Sequence, residues 1–198
     1  KLIGGDVSSE SSNPDYVGGS ILVASGELDL YYSEVSSNKA DYGAALGAMS
    51  NAKINVFNSV ISNNDADRHA GALYTEMSTI HIEDSIISDN TGITNSEGGG
   101  IHVSKSQLTM KNSLLTNNTA RYGGGMYVTE DSNPTVIVIS YSTIINNHAT
   151  SNQGGDKYIK YHPTITIVNS VMSEDDDNFY VVSWSTATWK SCADSVCE

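Results

Sequence analysis

A Ser, followed two residues later by an aliphatic side chain and three residues after that usually by Asn, recurs six times along the chain, and such a repeat limits the available folds sharply. The Ser column is Ser33, Ser59, Ser85, Ser113, Ser142 and Ser170. The second column is Val35, Ile61, Ile87, Leu115, Ile144 and Met172. The third is Asn38, Asn64, Asn90, Asn118 and Asn147, with Asp175 in the last unit. Successive serines lie 26, 26, 28, 29 and 28 residues apart, so the insertions fall between the aligned columns.

Upstream of each Ser stand two further apolar columns, Leu28, Ile54, Ile80, Leu108, Ile137 and Ile165, then Leu30, Val56, Ile82, Met110, Ile139 and Ile167. Each unit also carries a cluster of small residues, such as Gly98-Gly99-Gly100 or Gly123-Gly124-Gly125, often followed by a short apolar run. Alternation with period two, punctuated by Asn and Gly, predicts short strands and no helix. One such unit cannot bury its inward side chains or pair its backbone alone, but stacking copies about 4.8 Å apart does both. The expected fold is therefore all-β, a parallel β-helix of about six coils with three short strands per coil. Residues 1–178 would form the helix and its lead-in, and 179–198 a C-terminal cap or the start of a truncated cysteine-rich module.

In that geometry the Asn column becomes a structural ladder at a turn, because stacked amides can hydrogen-bond along the stack and Asn tolerates left-handed backbone angles. The six serines are equivalent, so they are scaffold rather than one nucleophile, each small enough to turn inward and bond a local backbone group.

The segment Leu108 to Met126, LTMKNSLLTNNTARYGGGM, resembles the repeats of the chlamydial polymorphic outer membrane protein family, which pair GGA[ILV] with FxxN. The first motif has counterparts in Ala70-Gly71-Ala72-Leu73, Gly98-Gly99-Gly100-Ile101 and Gly123-Gly124-Gly125-Met126, and the second in Ile61-Ser62-Asn63-Asn64, with an aliphatic residue for Phe. The resemblance covers about residues 17–178. It implies a right-handed β-helical passenger exposed at a cell surface, autotransporter-like, with a role in adhesion. The chain departs from the pattern in lacking Phe at the FxxN position and in having no membrane-anchored barrel segment after the repeats.

A net charge of −13 would repel nucleic acid and anionic lipid, and no apolar run approaches the ~20 residues of a membrane-spanning helix, so neither nucleic acid binding nor direct membrane insertion by this segment is expected. The start, Lys1-Leu2-Ile3, is neither an initiator Met nor a signal peptide, which suggests a processed chain or a piece of a longer one. The two cysteines, Cys192 and Cys197, stand at the extreme C-terminus, and whether they pair is left open.

Parallel β-helices also include polysaccharide lyases, hydrolases and epimerases, which need acids and bases converging on one outer face. The outward columns here, Asp29, Asn55 and His81 beside Tyr31, Phe57, Glu83 and Lys111, read as solvated sheet surface. The five histidines, His69, His81, His102, His148 and His162, occupy different places in the unit. No zinc-like ligand set is therefore expected, with His102 outward on a strand and His69 and His148 in loops. No cofactor is implied. Calcium is the metal to consider, with weak candidate ligands in Asp65 and Asp67 and in Glu174, Asp175, Asp176 and Asp177. Asn117 heads a single N-glycosylation sequon, Asn117-Asn118-Thr119.

Finally, the position after each Ser holds Glu34, Val60, Ile86, Leu114, Thr143 and Val171, which alternation would send outward as a candidate contact ridge carried by Val60, Ile86, Leu114 and Val171. The sequence thus points to an extracellular structural or adhesive segment of a larger cell-surface protein, with a filament subunit or a polysaccharide-active enzyme as alternatives. Its expected partners are a protein or glycan at the cell surface, or other copies of itself.

Overall fold

The computed structural model describes residues 2–3, 18–130, 134–151, 153–161, 163–172, 179–182 and 187–189. One circuit runs through Lys53–Phe57, Val60–Ser62, Asp65–His69 and Leu73–Glu76, and equivalent strands of successive circuits pair in parallel. Numbering the sheets I to IV in that order, sheets I, II and IV hold seven strands and sheet III holds five among the described residues.

Two details differ from the sequence-based expectation. Six aligned units are separated by five circuits, so the stack makes about five full turns, with a partial turn at each end. A coil also has four strands rather than three, because the residues between the Asn and Gly corners form the short strands of sheet III, such as Lys39–Tyr42 and Thr119–Ala120. Their inward positions carry only Ala40, Ala66, Gly92, Ala120 and Ala149, all buried. With no large side chain to project, this wall sits close to the axis. An alanine column is a weak hydrophobic signal, yet alanine recurs seven residues after four of the six serines.

Three of the four corners are set, in the described coils, by residues with left-handed backbone angles, a conformation that favours Gly, Asn and Asp. Between sheets I and II these residues are Tyr32, Asn58, Asp84, Asn112, Tyr141 and Asn169, and between II and III they are Ser37, Asn63, Asp89, Asn117 and Asn146. The corner between III and IV uses Gly43, Ala70, Gly98, Gly123 and Gly154. At the glycines of this last corner the backbone packs too tightly for a larger residue. A Cβ on Gly99 would lie 2.4 Å from the Gly124 carbonyl oxygen.

The inward columns fill the lumen. All twelve residues upstream of Ser are buried except Leu28, which is half-buried and packs against the same core, and Val35, Ile61, Ile87, Leu115 and Ile144 join them. Each fully buried aliphatic side chain contributes about 1.5–3 kcal/mol relative to exposure.

Polar ladders close two corners. Each Asn side-chain amide donates to the Oδ1 of the next Asn, at 2.8 Å from Asn38 to Asn64 and 2.9 Å at the following three steps as far as Asn147. The same oxygen accepts the backbone N–H of the preceding Asn, as in Asn64 to Asn90 at 3.1 Å. Beyond Asn147 the acceptor is the buried Asp156 carboxylate, at 2.9 Å. Asp175, the sixth member by sequence, lies outside the described residues.

The serines repeat the idea at the neighbouring corner. The Ser59 hydroxyl donates to the Phe57 carbonyl at 2.7 Å and accepts the Ser33 N–H at 2.9 Å, and the pattern continues to Ser170. Beyond the sixth unit, Phe179–Val182 adds to sheet IV and Ala187–Trp189 to sheet I, while at the other end Leu2–Ile3 pairs with Glu34–Ser36 in sheet II.

Candidate functional site

On sheet IV the residues four after the first small residue of the corner point outward and stack in register as Tyr74, His102, Tyr127 and Tyr158. Their rings are nearly parallel, with centroids 5.1, 5.2 and 4.9 Å apart. Such stacking uses the ring faces on one another, and His102 and Tyr127 are only 4% and 3% exposed. The row therefore offers no free aromatic face to a sugar.

The residues immediately before that corner form a second column alongside. Tyr42 pairs with His69, His69 bridges to Glu97, and Glu97 bridges to Tyr122. The tight corner at Gly98 and Gly99 folds this column against the aromatic row and brings His69, Glu97 and His102 together. Glu97 Oε2 lies 3.5 Å from His69 Nδ1 and 3.5 Å from His102 Nε2, distances of electrostatic contact rather than of hydrogen bonding. The two imidazole rings lie 5.1 Å apart.

Burial holds the His69 imidazole well below its ordinary range, at about 4, with the neighbouring His102 acting in the same direction and Glu97 opposing. Burial alone would raise the Glu97 carboxyl. The neighbouring His102 and His69 rings and the Tyr127 hydroxyl outweigh it, and the carboxyl is shifted down. Tyr127 and Tyr74 are pushed well above the usual phenol range, by burial first and then by Glu97 and Glu76 respectively. Neutral His69, ionised Glu97 and protonated Tyr127 thus share one half-buried corner. His69 Nδ1 and both His102 ring nitrogens are buried without a hydrogen-bond partner.

This grouping corrects the expectation that the histidines stay apart. His69 ends a strand, His148 begins one, and His102 is outward but covered. Alignment on Ser hid the match, because the units carry different numbers of residues between the Asn and Gly corners. Counting from the glycine corner places Tyr42, His69, Glu97 and Tyr122 in one column and Tyr74, His102 and Tyr127 in the other.

The remaining sequence candidates are dispersed. Asp65 and Asp67 are half-buried on sheet III, and no group of three His, Cys, Asp or Glu ligand atoms forms around them among the described residues. Glu174, Asp175, Asp176, Asp177, Cys192 and Cys197 lie outside the described residues. Asn117 is exposed at the corner between sheets II and III.

On sheet I, Asn55 donates to Asp29 and Glu27, Lys111 lies 2.6 Å from Glu83, and Tyr31 stacks on Phe57 at 4.9 Å, so these columns bond mainly within themselves. On sheet II, Val60, Ile86 and Val171 are 36, 39 and 61% exposed and Leu114 is half-buried, so loops of the described chain do not cover the ridge. A depression of about 450 Å³ opens at a different corner, between sheets IV and I, lined by Asn51, Met77, Thr79, Lys105, Gln107 and Pro134.

No curated protein and no solved structure matches the chain. A family model does, the one described as the right handed beta helix region, over residues 9–139. With two thirds of the sequence matched and the remaining described strands continuing the same four sheets, the chain belongs to the right-handed β-helix family.

Proposed function

We propose that the chain is an extracellular architectural or adhesive segment of a larger cell-surface protein, a stiff rod that holds partner-binding surfaces rather than a catalyst. One observation carries this reading. The side chains that recur from coil to coil face the lumen or bond the next coil, whereas outward positions vary and are largely paired with one another. Seven stacked strands at about 4.8 Å spacing give a rod about 30 Å long, stiff along its axis because each ladder must break for it to bend.

The uncharged ridge of Val60, Ile86, Leu114 and Val171 is the surface we assign to a protein partner, and the charge of −13 disfavours nucleic acid and anionic membranes. The purified chain should bind whole cells or immobilised surface proteins without turning over pectin, alginate or similar polymers. The reading fails if polymer is cleaved and the cleavage is lost in His81→Ala or Glu83→Gln.

The His69, Glu97 and His102 grouping favours a second reading, a polysaccharide-active enzyme, because a neutral imidazole beside an ionised carboxylate is an acid–base arrangement. Turnover abolished by His69→Gln, with the fold intact, would replace the first reading by this one.

A further inference from the structure

Two imidazoles and one carboxylate converge at the corner between sheets III and IV, and three of the four imidazole nitrogens there are buried without a hydrogen bond. Buried ring nitrogens left unsatisfied are costly and uncommon, so an ion that takes one lone pair from each ring would satisfy two of the three. Waters can fill such places, but the chemistry of this set is more specific.

Four ligands placed tetrahedrally at about 2.0–2.1 Å from an ion are separated from one another by about 3.3 Å. Two of the separations here are 3.5 Å, and all three ligand atoms lie within 4.8 Å of one another, so a modest tilt of the two rings completes the triangle. Imidazole nitrogens with a carboxylate suit zinc-type ions, whereas calcium requires six to eight oxygens.

Side chains of His69 and Glu97 are 25% and 29% exposed, which leaves a path for an ion and room for a water as fourth ligand.

We propose that His69, Glu97 and His102 bind one divalent transition ion of the zinc type, which staples two successive coils. His69 comes from one coil, and Glu97 and His102 from the next, on either side of the glycine corner. The ion would link neighbouring coils and the two arms of that corner at once. This site is independent of whether the rod is adhesive.

Co²⁺ titration of the metal-stripped chain at pH 7.5 tests the proposal, because tetrahedral Co²⁺ with nitrogen and oxygen ligands absorbs in the visible. One equivalent should bind with that band, Zn²⁺ should displace it, and the thermal midpoint should rise with either ion. His69→Gln and Glu97→Gln should each weaken binding by at least about tenfold, on the scale of losing even an outer-sphere group. His102→Tyr is the variant that protects the test against misfolding, since its stacking neighbours Tyr74 and Tyr127 are tyrosines, and it should melt like the metal-free wild type while losing the band. No stoichiometric Co²⁺ uptake by the wild type overturns the proposal, as does equal uptake by wild type and His102→Tyr, or uptake abolished only by Asp65→Asn with Asp67→Asn.

Discussion

Replacing Asn90 tests whether the amide ladder holds the coils together. Its carboxamide is fully buried, accepts the Asn64 N–H at 3.1 Å and the Asn64 amide at 2.9 Å, and donates to Asn118 Oδ1, the Ile61 carbonyl and the Ser88 carbonyl at 2.9–3.1 Å. Asn90→Ala removes these bonds together and leaves the Asn64 N–H buried without an acceptor. An orphaned buried donor costs about 1–3 kcal/mol, and the bond from the Asn64 amide and the two hydrogens that Asn90 donates about 1 kcal/mol net each, so a loss of about 4–6 kcal/mol is expected.

Asn90→Asp should also be severe at pH 7, since a carboxylate can accept from Asn64 but would face three acceptor oxygens. Asp156 avoids this by standing at the end of the ladder, where it accepts from Asn147 Nδ2 and from the Asn147 N–H. The introduced carboxyl should therefore have a raised folded pKa. Its penalty grows as pH rises from the unfolded value near 4 through the folded one, so relative to wild type the variant should recover stability as pH falls. Urea unfolding of the three proteins at pH 4 and pH 7, with hydrogen exchange at Asn64 to detect local opening, measures both effects. A loss below about 1 kcal/mol for Asn90→Ala, or an Asp penalty independent of pH, refutes the reasoning.

Lys157 sits in the inward column of Leu46, Leu73, Ile101 and Met126, and burial depresses its ammonium to about 8 despite Asp156 nearby. The unfolded chain binds more protons between about pH 8 and 10.5, so wild-type stability should rise with pH across that window, and Lys157→Met should stabilise at pH 7 by about 1–3 kcal/mol in urea melts. Tyr141, 60% exposed with φ 51°, occupies a corner where four other units place Asn or Asp, and Tyr141→Asn should raise stability by about 0.5–1 kcal/mol in the same assay. Gly99→Ala, whose Cβ would meet two backbone carbonyls within 2.5 Å, should lower the thermal midpoint by several degrees or prevent folding. Changing Val60, Ile86 and Leu114 together to Thr should leave the midpoint nearly unchanged, since the ridge faces solvent, yet reduce self-association seen in sedimentation or attachment to partner proteins.

The repeat period, the inward columns and the Asn and Ser corners were legible in the sequence because each depends on local chemistry repeated at matching offsets. An aliphatic residue two after Ser faces the lumen in every described unit for the same reason, the alternation of a strand. Sheet III was not legible, since an alanine column carries little hydrophobic signal and its strands are as short as two residues. Lys157 in the core is likewise a departure from the column that only the coil register reveals.

Only the tertiary structure could assemble the His69, Glu97 and His102 group. His69 is ten residues past its Ser and Glu97 twelve past its own, so a register counted from Ser separates them. Coils absorb such insertions locally and regain register at the glycine corner, where close backbone stacking admits only glycine and alanine. Sequence by itself therefore determined the coil and its lumen. The fold decided which outward residues meet, because variable loop lengths are reconciled only when one coil is laid on the next.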